Sequence, residues 1–166
     1  MTPSDSFEVI GGSPLQGELT PQGAKNEALQ VLCAVLLTDE KVTISNVPAI
    51  RDVNRLLDLL RGLGVKVEQP EAETYVLQAD ELDLDFFNSQ DFTQNAQRIR
   101  GSVMLIGPML GRFGRAFLPK PGGDKIGRRR LDTHFLGIQK LGADFVYDSE
   151  KRCYSVTTSG LKGTHI

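Results

Sequence analysis

Between Pro121 and Asp132 the chain gathers three glycines (Gly122, Gly123, Gly127), a carboxylate at Asp124, and cations at Lys125, Arg128, Arg129 and Arg130. Glycine lets a backbone fold tightly enough to turn its amides onto a ligand. Arginine meets phosphate as a planar fork that never loses its charge. A carboxyl group set among them can be tuned to move a proton. Together these types point to chemistry on a phosphorylated substrate, and a solvated basic turn is the plainer alternative. His134 follows Asp132 at i+2, which is not a same-face helical pair, so no metal site is expected there.

Two further groups have the same character. In Gly23-Ala24-Lys25-Asn26 a point charge and an amide open a helix beside unpaired backbone donors, which suits an anion. Spacing alone favours the plainer reading, a solvated lysine in a first turn. In Arg98-Ile99-Arg100-Gly101-Ser102 the small residues after Arg100 leave room for a ligand or another backbone, although a surface arginine is the commoner reading of such a motif. If this stretch is helical, Arg98 and Arg100 point in different directions.

The elements that must position these residues come twice. Leu56-Leu57-Asp58-Leu59-Leu60-Arg61-Gly62-Leu63-Gly64-Val65 resembles the run from His134 to Ala143, and the Leu-Gly pairs set an offset of 78 residues (141 minus 63). At that offset Arg51 falls on Arg129, Asn46 on Asp124 and Val53 on Leu131. Val53, Leu56, Leu57, Leu60 and Leu63 form one helical stripe ended by Gly64, and Leu131, Phe135, Ile138 and Leu141 form another ended by Gly142. Upstream of each lies a helix, from about Lys25 to Leu37 and from about Thr93 to Leu110. Strands are expected at Val42–Ser45, Val65–Glu68 and Tyr75–Ala79, and again at Ala116–Pro119, Ala143–Tyr147 and Cys153–Thr157. Each copy therefore reads helix, strand, helix, strand, strand. Such units bury their apolar faces on one another.

Composition narrows the class. With 166 residues, 40% hydrophobic and 24% charged, the chain has the size and make-up of one folded domain. A net charge of −2 argues against a nucleic-acid partner. Two cysteines make neither a disulfide framework nor a metal cluster, and Cys33 reads as a small core residue. The polar start and the lack of a long apolar run lead us to expect a cytoplasmic protein with no membrane contact.

Several short motifs in one order connect these observations. They are Leu15-Gln16-Gly17-Glu18, Gly23-Ala24-Lys25-Asn26, Asn46-Val47-Pro48, Asp52-Val53, Arg100, Gly107-Pro108, Arg112-Phe113-Gly114, Pro121-Gly122-Gly123, Ile126-Gly127, Asp132, and Leu161 to Ile166. By them the chain resembles the UDP-N-acetylglucosamine enolpyruvyl transferases (1-carboxyvinyltransferases), along essentially its whole length. The glycine-rich signatures of the sister family that makes enolpyruvyl shikimate phosphate are absent. The resemblance implies an α/β fold of repeated β/α units, an inside-out α/β barrel, of which this chain holds two of the first domain's three units. Residues 1–22 would add to the second domain and residues 23–166 would form the incomplete first domain, with units at about 23–80 and 93–158.

The reaction implied is transfer of the enolpyruvyl group from phosphoenolpyruvate to the 3-hydroxyl of UDP-N-acetylglucosamine, releasing phosphate, with no cofactor or metal. It is the first committed step of peptidoglycan synthesis. Lys25 and Asn26 would contact phosphoenolpyruvate and the sugar, Arg100 and Arg129 would hold anionic groups, and Arg129, Arg130, Leu131, Asp132 and Thr133, with His134 beside them, would line the UDP-sugar site. The chain alone is expected to bind weakly and not to turn over, and a non-catalytic binding or assembly module retaining the fold is the alternative.

Asp124 departs from the family's usual cysteine on a mobile loop. As the catalytic proton donor to the methylene carbon, it needs a raised pKa, since a free aspartate titrates near ~3.9. Dehydration in a closed loop raises it and neighbouring cations lower it. Fosfomycin alkylates the loop thiol in this family, and a carboxylate is the poorer nucleophile. We therefore expect the protein that carries this chain to keep its activity in fosfomycin and the Asp124→Cys variant to lose it. Stoichiometric inactivation of the unmodified protein at low fosfomycin would contradict this.

Overall fold

The computed structural model describes residues 6–120, 122, 127, 130–150 and 152–165. Asp124 and Arg129 therefore lie outside the described residues. Helix α1 (Lys25–Ala34) tightens into a 3-10 turn at Val35–Leu37 and leads to strand β1 (Lys41–Ile44). Helix α2 (Arg51–Gly62) then crosses to the hairpin of β2 (Lys66–Glu71) and β3 (Thr74–Gln78). The hairpin strand β3 pairs antiparallel with both neighbours, giving the order β1-β3-β2. Strands β1 and β2 are thus parallel, and α2 is their crossover.

The second sheet repeats the plan. Strand β4 (Arg115–Pro119), helix α5 (Asp132–Lys140), β5 (Asp144–Asp148) and β6 (Cys153–Thr157) give the order β4-β6-β5, again antiparallel about a central hairpin strand. The helix ends match in detail. Gly64 and Gly142 take φ of 94° and 100°, a left-handed conformation that glycine adopts without strain. The amides that follow reach back to close the last turn, Val65 N–H to the Leu60 carbonyl at 3.0 Å and Ala143 N–H to the Ile138 carbonyl at 3.2 Å. The mixed α/β class read from the sequence holds.

One expected element is broken. The stretch from Thr93 to Leu110 is not a continuous helix: α3 (Gln90–Ala96) stops, Ile99 is extended at φ −132° and ψ 137°, and a 3-10 turn (Arg100–Leu105) runs into α4 (Ile106–Phe113). A proline inside one long helix would clash with the preceding turn, whereas the break puts Pro108 in the first turn of α4. Ser102, buried, sets its hydroxyl 2.8 Å from the Ala96 carbonyl and 2.9 Å from that of Ile99, meeting the acceptors that the break uncovers.

One apolar core runs through both repeats, from Leu32 and Leu36 through Leu56 and Leu60 to Phe92, Ile99, Met109 and Val156. The two crossover helices differ in their share of it. Helix α2 buries Val53, Leu56, Leu57, Leu59 and Leu60, while α5 buries no residue fully and leaves Leu136 exposed. Residues 6–24 form no helix or strand, and Phe7, Val9, Ile10, Leu15 and Leu19 are each at least 87% exposed.

Two helical glycines should respond oppositely to alanine. A Cβ at Gly62 would stand 2.3 Å from the Phe86 ring, which packs edge-on against Phe92. One at Gly111 would meet only Leu37, at 3.5 Å. Gly62→Ala should lower the denaturation midpoint, by about 1–3 kcal/mol of stability for overpacking. Gly111→Ala should raise it, by about 0.5–1 kcal/mol from backbone entropy. Shifts of the same sign would refute this packing.

Candidate functional site

The first turns of α1, α2 and α5 open onto one cleft of about 620 Å³. Lys25 and Asn26 come from α1, Arg51 and Asp52 from α2, and Leu131 and His134 from the start of α5. Unpaired backbone N–H groups and the helix dipole make each such end partly positive. Arg55, Arg98 and Arg100 add side-chain charge, so five cations face one carboxylate across the cleft. That balance favours an anion with more than one charged group.

Local geometry explains how the charges are held. Gly23 permits the start of α1 to lie on the loop after β1, because a Cβ there would fall 1.9 Å from the Asn46 carbonyl oxygen. Asn46 itself takes φ 59°, a conformation asparagine tolerates better than most residues. The Lys25 ammonium donates to Asp52 Oδ2 at 3.1 Å. Both side chains are partly solvated, so the pair adds little stability; its effect is to orient Lys25. Arg55 Nη1 donates to the Arg98 carbonyl at 3.1 Å, tying α2 to the broken segment just before Arg100.

The sequence-based candidates divide into three sets. Lys25, Asn26, Arg100, Leu131 and His134 are brought together on the cleft. Arg130 and Asp132 are exposed and pair with each other, and Thr133 is exposed beside them; none of the three lines the cleft. Asp124 and Arg129 lie outside the described residues. Arg98 and Arg100 share the cleft because the chain between them is extended, not helical as the sequence led us to expect. Arg51 and Arg55 were not picked out as site residues. The available signal was the 78-residue offset, which sets Arg51 on the candidate Arg129.

Among the described residues no group of three or more His, Cys, Asp or Glu side chains is placed to hold a metal. Burial pushes the Cys33 thiol up to about 12, so it stays protonated and unreactive near neutral pH. No helix among the described residues is long and apolar enough to cross a membrane.

The family model described as EPSP synthase (3-phosphoshikimate 1-carboxyvinyltransferase) matches residues 9–166. The chain belongs to this family. Within it, curated relatives carry a different substrate in their names. The chain is 54% identical over 161 residues to the UDP-N-acetylglucosamine 1-carboxyvinyltransferase of Porphyromonas gingivalis, covering 97% of this chain and 37% of that protein. It is 55% identical over 159 residues to the enzyme of the same name from Bacteroides fragilis, covering 96% and 37%. The chain thus spans little more than a third of the length of these relatives. Among solved structures it is similar to the enolpyruvyl transferase NikO from Streptomyces tendae, with TM-score 0.65, 24% identity, and coverage of 92% of this chain and 32% of that one. An EPSP synthase from Acinetobacter baumannii follows, with TM-score 0.57, 16% identity, and coverage of 89% and 33%. At these identities the structural likeness shows the fold alone.

Proposed function

We propose that the protein to which this chain belongs transfers the enolpyruvyl group of phosphoenolpyruvate to the 3-hydroxyl of UDP-N-acetylglucosamine and releases phosphate, in peptidoglycan synthesis. The observation that carries this reading is the meeting of Lys25 and Arg100 on one cationic cleft formed by helix starts. Its substrate follows the relatives at 54–55% identity, whose names specify the UDP-sugar.

In this reading the reaction is addition followed by elimination. Asp124 gives a proton to the methylene carbon of phosphoenolpyruvate while the sugar hydroxyl bonds to the adjacent carbon and yields its own proton to a base supplied by the rest of the protein, forming a tetrahedral intermediate. Loss of a proton from the methyl group and of phosphate from the carbon bearing it then restores the double bond. Lys25, Arg100 and Arg129 stabilise the phosphate as its charge grows, the largest effect preorganised cations can supply. Asn26 contacts the sugar hydroxyl region. The UDP-sugar lies along Leu131 and His134, with Arg130, Asp132 and Thr133 on its outer side. Asp52 holds the Lys25 ammonium toward the incoming anion.

The exposed apolar side chains of Phe7, Val9 and Ile10 fit a segment that joins a second domain, and we assign residues 1–22 to it and 23–166 to the first. The cytoplasm is the compartment we infer, since both substrates are charged small molecules and no described helix would anchor the chain.

Phosphate release with both substrates, compared between the unmodified protein and Asp124→Ala, tests the reading. We expect turnover in the unmodified protein and a loss of at least ~100-fold in the variant, the lower end of a general acid's contribution. Unchanged turnover would remove Asp124 from the mechanism, and no release from either protein would remove the activity.

A further inference from the structure

Arg112 belongs to the Arg112-Phe113-Gly114 motif but lies away from the cleft. It stands in the last turn of α4, half-buried, with its guanidinium 5.0 Å from the centre of the Phe113 ring. Its Nη1 approaches three carbonyl oxygens of the first repeat: Leu36 at 3.2 Å, Thr38 at 2.9 Å and Ala79 at 2.8 Å. Leu36 and Thr38 lie where α1's 3-10 extension ends, and Ala79 directly follows β3. Leu36 lies in the final 3-10 turn, and Thr38 and Ala79 lie just past regular structure, where end carbonyls lack partners within their own element. Hydrogen bonds from a charged donor are worth more than neutral ones.

The placement matters because two rods run the same way between the clamp and the cleft. One is α1 with its 3-10 extension, from Lys25 to Leu37; the other is the 3-10 turn with α4, from Arg100 to Phe113. Each presents its first residue to the cleft, and Arg112 joins their far ends, about 20 Å away at 1.5 Å per residue. We propose that Arg112 is a positioning residue, which sets the distance between Lys25 and Arg100 by fixing the two rods in register. The inference rests on the proposed reaction for its kinetic reading, but its geometry concerns the anion site alone. The phosphate contacts Lys25 and Arg100 stand on opposite sides of this seam. Most of the residues assigned to the UDP-sugar, Leu131 and His134 among them, follow β4 in the same repeat as Arg100, while Asn26 reaches the sugar from the other side of the seam. Slippage should therefore harm phosphoenolpyruvate more than the sugar nucleotide.

Arg112→Met and Arg112→Lys in the protein that carries this chain, with exposed Arg115→Ala as control, test it. At a temperature where circular dichroism shows each variant folded, Arg112→Met should raise KM for phosphoenolpyruvate about tenfold, a modest misplacement of reacting groups. KM for UDP-N-acetylglucosamine should change less, the lysine variant should fall between, and Arg115→Ala should match the unmodified protein. Calorimetric titration with inorganic phosphate gives a reading independent of turnover. Weaker phosphate binding in Arg112→Met would support the clamp even in a protein without transferase activity. If Arg112→Met does not fold, the lysine variant alone decides. Unchanged KM and phosphate affinity beside a lowered melting temperature would reduce Arg112 to a staple of the fold and overturn the proposal.

Discussion

The site depends on how closely α1 packs against the turn that begins at Arg100. Leu29, buried on α1, lies so near Gly101 that a Cβ there would come within 3.0 Å of its side chain. That contact belongs to neither repeat alone. It brings the Lys25 end of one and the Arg100 end of the other to the same opening, while Gly23 brings α1 down onto the Asn46 loop of its own repeat. Small residues beside charged ones are therefore not incidental. Each glycine removes a side chain where backbone must approach, and each neighbouring cation is carried in by that approach.

A cost follows from gathering like charges. Five cations around one carboxylate repel one another, and local ties, one of them an ion pair, offset part of this. Lys25 pairs with Asp52, Arg55 donates to the Arg98 carbonyl, and Arg98 Nη1 donates to Asn95 Oδ1. Partly solvated ion pairs contribute little to stability. The stability of the fold comes instead from the continuous apolar core, which holds the charged rim without sharing its chemistry.

Much of this was legible in advance because it repeats. The Leu-Gly helix ends at Gly64 and Gly142, the order of elements along each repeat and the apolar stripe of α2 all follow from patterns that a single sequence displays. The break before Arg100 was hidden, since apolar residues at Ile99, Val103, Ile106 and Leu110 keep helical spacing across it. Pro108 and the Gly101-Ser102 pair were the local warnings, and here turn chemistry overrode periodicity. The break also explains why Arg98 reaches the cleft. Arg51 and Arg55 escaped notice for another reason: nothing local separates an exposed helix arginine from one that tertiary packing turns toward a ligand.

The central claim is that cations from both repeats and the starts of three helices form one anion site. A titration of the isotopically labelled protein with phosphoenolpyruvate, followed by amide chemical shifts, tests it most directly. The account predicts saturable shifts at Lys25, Asn26, Arg100 and His134 that fit a single dissociation constant. Shifts confined to one repeat, or separate constants for Lys25 and Arg100, would contradict it.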